Sequence, residues 1–167
     1  MDIKKCIEYM KEKHGNQKRK QGTPYYTHPM AVSKMLADKG FGENYVVAGL
    51  FHDLLEDTDS TYDEIVSYSN PEVALAVKLV TKEKGYDMDE YMSRIKNNDV
   101  ARMVKIADRI HNLSEAVYGS LAFKKKYVKE TETYFIDLAK DTVFETELND
   151  VLEQIREAVK VEDEVER

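Results

Sequence analysis

A chain of 167 residues with 42% hydrophobic and 34% charged side chains is long enough for a substantial core and too apolar for disorder. No apolar run approaches the roughly 20 residues that span a bilayer, and the N-terminus has no apolar signal segment, so a cytoplasmic protein with no membrane partner is expected. The lone Cys6 excludes an internal disulfide framework and a thiolate zinc site, while the net charge of −7 argues against general nucleic-acid binding.

Seven glycines, three prolines and almost no strand-like alternation predict an all-α fold, read as one domain over residues 1–167. A first helix spans about Ile3 to Lys13, with Ile3, Ile7 and Met10 on one face. Gly15 to Pro29 reads as a loop containing Gly22, Pro24 and the basic trio Lys18-Arg19-Lys20. Alone, three adjacent bases describe a solvated turn; beside a metal site they form a local patch for an anionic substrate. Pro29 suits the first turn of a second helix, with His28 at its threshold and an end near Lys39-Gly40.

A third helix is expected from about Glu43 to Glu56, and a short one from Thr61 through Ile65. Pro71 opens another, with Val73, Leu75, Ala76, Leu79 and Val80 apolar, and a weaker pattern covers Tyr86 to Ile95. Asp99 looks like the N-cap of a long helix whose Val100, Met103, Val104, Ala107 and Ile110 face inward. The tail predicts helices over 122–140 and 146–161, followed by a solvated end from Val161 to Arg167. Residues 141–167 hold ten acids and three bases, which equals the whole net charge and leaves the remainder neutral.

The informative stretch is His52-Asp53-Leu54-Leu55-Glu56-Asp57, because it follows the apolar run Tyr45 to Phe51 into a core where unpaired polar groups are costly. On a continuous helix the i,i+4 spacing would stack His52 over Glu56 and Asp53 over Asp57, on one broad face. A lone histidine such as His28 is more often a hydrogen-bonded residue than a ligand. Asp108 alone could pair with Arg109 or cap a helix. In combination, His28, His52, Asp53 and Asp108 make a mixed imidazole and carboxylate set suited to Mn²⁺, Fe²⁺ or Zn²⁺ with open water positions. Such a metal lowers the pKa of its bound water, and Glu56 and Asp57 lie one turn away, within reach of that proton. His111 points about 60° away from Asp108 on a helical wheel at ~100° per residue and reads as structural or as a neighbour supporting the ligands.

Gln17 to Pro29, with Lys18-Arg19-Lys20 and Tyr25-Tyr26-Thr27-His28-Pro29, resembles the opening motif of the RelA/SpoT-type HD hydrolase domain. Leu50 to Thr58 is similar to its His-Asp and Glu-Asp motifs, and Val80-Thr81-Lys82 and Val104 to Leu113 resemble the next two. Glu130-Thr131 through Leu138-Ala139 is a weaker match to a later helix. The resemblance runs in unbroken order over roughly residues 10–140.

The resemblance implies an HD-domain helical bundle that hydrolyses guanosine tetra- and pentaphosphate, (p)ppGpp, releasing pyrophosphate from the 3′ position with Mn²⁺. Carried over residue by residue, it makes His28, His52, Asp53 and Asp108 the ligands. Glu56 and Asp57 become the pair that activates water and assists the departing group. Arg19, Lys20 and Asn112 would hold the nucleotide. The long family members' synthetase and regulatory segments have no counterpart, so synthesis is not expected. Thr23 stands where an acidic residue is usual, and Ser114-Glu115 where Arg-Thr is common. The alternative is an HD-type phosphatase or pyrophosphohydrolase acting on another phosphorylated nucleotide.

Overall fold

The computed structural model describes all residues, 1–167, and its regular structure is helical throughout, with one isolated antiparallel bridge between Lys18 and Pro24. No helix is long and apolar enough to cross a membrane. The chain divides into two compact units, Met1–Lys105 and Ile106–Arg167, with the boundary inside one helix.

The first unit contains α1 (Ile3–His14), α2 (Thr27–Asp38), α3 (Glu43–Phe51), α4 (Leu54–Asp57), α5 (Tyr62–Tyr68), α6 (Pro71–Val80), α7 (Met88–Lys96) and the start of α8 (Asp99–Glu115). The centre of this unit is α3. Its residues Val47 to Phe51 are all buried, so it is covered on every side, by α1, α2 and α6. Tyr9 of α1 seals one end, edge-on to Phe51 at 5.7 Å and stacked on Tyr68 at 4.0 Å, with its hydroxyl hydrogen-bonded to Ser60.

Local chemistry explains the helix starts. Asp2 accepts from the Lys5 amide, Thr61 and Glu64 form a reciprocal capping box, and Asn70 accepts from the Val73 amide just before Pro71. For α8 the expected cap is off by one residue. Asn98 Oδ1 accepts from the Ala101 amide at 2.9 Å, and Asp99 is already helical.

The second unit contains the rest of α8, a 3-10 turn (Ala116–Tyr118), α9 (Leu121–Glu130), a π-helical turn (Thr131–Phe135), α10 (Ile136–Ala139) and α11 (Glu145–Glu166). The predicted continuous helix over 122–140 is interrupted by the π turn. There Thr131 donates its hydroxyl to the Tyr127 carbonyl, and Arg109 is sandwiched 4.0 Å from both the Tyr127 and Phe135 rings. Arg109 also pairs with Glu130 at 2.5 Å.

The end from Val161 to Arg167 is mostly exposed, as expected, but it does not fray out of the helix, since α11 continues to Glu166. Lys124, fully buried on α9, pairs with Glu162, and Lys125 pairs with Asp163 at 2.8 Å, so acids that look solvated in sequence have partners on α9.

Candidate metal centre

The third predicted helix is broken where the chemistry lies. After α3 ends at Phe51 the chain passes through His52 and Asp53 and restarts as α4. The four polar residues therefore do not share one regular helical face. The His52 side chain turns back instead, and its Nδ1 lies 2.7 Å from the Gly49 carbonyl. That bond places the ring hydrogen on Nδ1 and leaves the lone pair on Nε2.

His52 Nε2 then lies 3.1 Å from Asp53 Oδ2, and His28 Nε2, carried on α2, lies 3.8 Å from the same oxygen. The two imidazoles meet edge-on at 5.1 Å, and both are buried. A lone pair facing a carboxylate oxygen at this distance is repulsive unless a cation or proton lies between them. Two buried imidazoles converging on one carboxylate thus have the donor chemistry of a divalent-metal site.

The same carboxylate has a partner missing from the sequence expectations. Tyr25 donates its hydroxyl to Asp53 Oδ2 at 2.8 Å. Tyr25 is held in turn by neighbours of the basic loop, with its ring 4.9 Å from the His14 ring and 5.6 Å from the Arg19 guanidinium. The loop is a small closed turn. The Arg19 amide donates to the Thr23 carbonyl, the Gly22 amide to the Arg19 carbonyl and the Tyr25 amide to the Gln17 carbonyl. Gly22 takes φ +93° to close it, a conformation that side chains rarely adopt. Gln17 ties the loop to the site by donating to the Asp57 carbonyl at 2.8 Å, while its own carbonyl oxygen meets His14 Nδ1 at 2.9 Å. Lys20, at the tip, is exposed.

Asp53, Glu56 and Asp57 bring carboxylate oxygens within 4.8 Å of one another. Glu56 Oε1 is fixed by the Lys82 backbone amide at 2.8 Å, which gives the Val80-Thr81-Lys82 segment a role through its main chain. Loss of hydration, then repulsion from Asp53 and Glu56, raises the Asp57 carboxyl to about 6, against the opposing effects of Tyr25 and His52.

Asp108 and Asn112 belong to the second unit. Asp108 is buried on α8 and accepts from the Asn112 side-chain amide at 3.0 Å. His111 pairs with Glu115 at 3.1 Å. Sequence reasoning missed Tyr25, Gln17 and His14. Only Tyr25 left a signal, as an aromatic hydroxyl three residues before His28.

The HD domain family model matches residues 6–101. A guanosine-3′,5′-bis(diphosphate) 3′-pyrophosphohydrolase of Aquifex aeolicus (strain VF5) is 36% identical over 146 residues, 83% of this chain and 21% of that protein. A GTP pyrophosphokinase of Brucella ovis is 34% identical over 122 residues, 66% of this chain and 16% of that protein. The chain therefore spans about a fifth of the length of the curated relatives it matches. Among solved structures, a metazoan SpoT ortholog that hydrolyses ppGpp superposes with a TM-score of 0.77 at 25% identity, over 91% of this chain and 94% of that one. With a matched segment that takes in the Tyr25 to His28 turn, the His52-Asp53 break and the Glu56-Asp57 pair, the chain belongs to the HD domain family, whose fold binds a divalent metal.

Proposed function

We propose that this chain hydrolyses guanosine 3′,5′-bis(diphosphate) and its pentaphosphate analogue, releasing pyrophosphate from the 3′ position with the help of Mn²⁺. The observation that carries the reading is the second carboxylate pair. Glu56 and Asp57 gather with Asp53 beside two buried imidazoles, so cation ligands and proton-transfer groups occur together. In this reading His28, His52, Asp53 and Asp108 hold the metal. Asp108 follows Val104 by four residues and Ala101 by seven on α8, which puts it on the helix face that carries those buried side chains.

A divalent metal held by these residues would lower the pKa of a water and draw charge from the phosphoryl oxygens. Glu56, oriented by the Lys82 amide, accepts the proton of the attacking water. The water oxygen bonds to the phosphorus attached to the 3′ oxygen, the bond between them breaks, and Asp57 supplies the proton for the departing 3′ oxygen. Tyr25 keeps Asp53 aimed through its 2.8 Å bond. Arg19 and Lys20 hold the nucleotide from the loop, Arg19 by stacking and Lys20 through phosphate, and Asn112 hydrogen-bonds it from α8.

The test is incubation of the purified chain with Mn²⁺ and ppGpp, with products separated by anion-exchange chromatography. GDP and pyrophosphate are expected in equal amounts. Asp53→Ala should abolish the reaction, and Glu56→Ala should slow it by about 10²- to 10⁴-fold. Cleavage of a different phosphorylated nucleotide but not ppGpp would move the substrate assignment. Binding without turnover across a nucleotide panel would overturn the assignment as an enzyme.

A further inference from the structure

Glu56 faces two ways. It belongs to the carboxylate cluster with Asp53 and Asp57, and it also forms one wall of a cavity of about 450 Å³ between α4, α5, α6 and the segment after α6. The other lining residues include Tyr62, Lys78, Lys82, Glu83 and Lys84, so three lysines and two acidic residues line it. One of those carboxylates, Glu56, is already held by a backbone amide. The Lys78 ammonium meets only the Tyr62 ring, at 5.8 Å, and neither Lys78 nor Lys84 forms an ion pair. Lys82 lies over the Tyr86 and Tyr91 rings at 5.5 and 5.8 Å.

Lysines without partners are common on a surface and mean little there. Lys78 and Lys84 differ in lining a concave volume that shares Glu56 with the carboxylate cluster, where local positive charge concentrates anions in spite of the acidic total. We infer that this cavity is a diphosphate-binding subsite, with Lys78 and Lys84 as its cations. The inference deepens the proposed function and rests on it for the position of the scissile bond. A nucleotide whose nucleoside sits at the Arg19 and Lys20 loop, with its reacting phosphorus beside Asp53 and Glu56, extends its next phosphoryl group past Glu56 into this volume. Two diphosphates of such a substrate fit this chemistry, the departing pyrophosphate and the 5′-diphosphate.

The test measures binding to the metal-free protein by isothermal titration, with inorganic pyrophosphate in one arm and GDP in the other. The Lys78→Ala/Lys84→Ala double variant changes two exposed side chains, and its fold is checked by circular dichroism. Lys4→Ala, on the exposed face of α1, controls for lost charge. The dissociation constant for at least one probe should rise about tenfold in the double variant, and by less than about twofold in the control. A rise confined to pyrophosphate assigns the cavity to the departing group, and one confined to GDP assigns it to the 5′-diphosphate.

The inference is overturned if neither probe responds, if Lys4→Ala weakens binding equally, or if the wild-type chain binds neither probe. If binding depends on Lys78 and Lys84 but ppGpp is not turned over, the subsite stands and the catalytic assignment falls.

Discussion

Replacing Gly49 by alanine tests how helix packing sets the metal centre. In an ordinary helix the change would stabilise by ~1 kcal/mol through propensity alone. Here a Cβ at residue 49 meets Leu36 Cδ1 at 3.0 Å and the Ser33 Cα and N atoms at 3.3 Å. Leu36 and Ser33 are buried, and the Ser33 atoms are backbone, so relief requires α2 to move away from α3 by a few tenths of an ångström. Overpacking of this kind costs about 1–3 kcal/mol, which outweighs the propensity gain and leaves a net loss of about 1 kcal/mol. For a chain of this size that lowers Tm by about 2–4 °C.

The displaced helices are the ones that carry the imidazoles, His28 on α2 and His52 at the end of α3, and the Gly49 carbonyl is the acceptor that orients His52. Metal affinity should therefore fall by about tenfold, the scale seen when an outer hydrogen-bonding partner of a metal ligand is disturbed. Thermal denaturation of chelator-treated protein and calorimetric Mn²⁺ titration measure the two effects separately. A Gly49→Ala protein that is more stable by the full propensity term and binds metal as before would refute this account of the α2 and α3 interface.

Tyr25→Phe removes only the hydroxyl that orients Asp53. It should weaken Mn²⁺ binding about tenfold or more with an unchanged circular dichroism spectrum, and unchanged metal titration would show that the 2.8 Å bond has no orienting role. Arg109→Met removes the guanidinium that pairs with Glu130 and lies over the Tyr127 and Phe135 rings. With Glu130 partly solvated, the loss in urea denaturation should fall near 2–4 kcal/mol, and a cost under about 1 kcal/mol would mark the sandwich as incidental. Burial holds His14 below its usual 6.5, while Gln17 and Asp53 partly oppose the shift. The unfolded chain therefore takes up the proton first on acidification. The stabilising contribution is present above about pH 6.5 and is lost as pH falls toward the folded value. Wild-type Tm should drop more steeply than that of His14→Gln between about pH 7.5 and 5.5 in metal-free protein, and parallel curves would exclude the linkage.

Much of this molecule follows from short-range patterns. Amphipathic spacing locates α1, α2, α6 and α8, and Thr61 with Glu64 or Asn70 with Pro71 marks helix starts, because caps and periodicity depend on residues three or four apart. The same locality makes His28, His52-Asp53 and Glu56-Asp57 recognisable as metal- and proton-competent groups in the residues alone. Tertiary structure decided what those groups do to one another. The break between α3 and α4 turns His52 back onto the Gly49 carbonyl and brings Asp53 against His28 of another helix, a result no helical wheel over 43–56 contains. Tyr25 reaching Asp53 across 28 residues, the Lys82 amide holding Glu56, and the α9 lysines keeping α11 helical to Glu166 have the same origin. Each is a contact between segments distant in the chain, and its strength depends on burial and geometry that arise only when the helices pack.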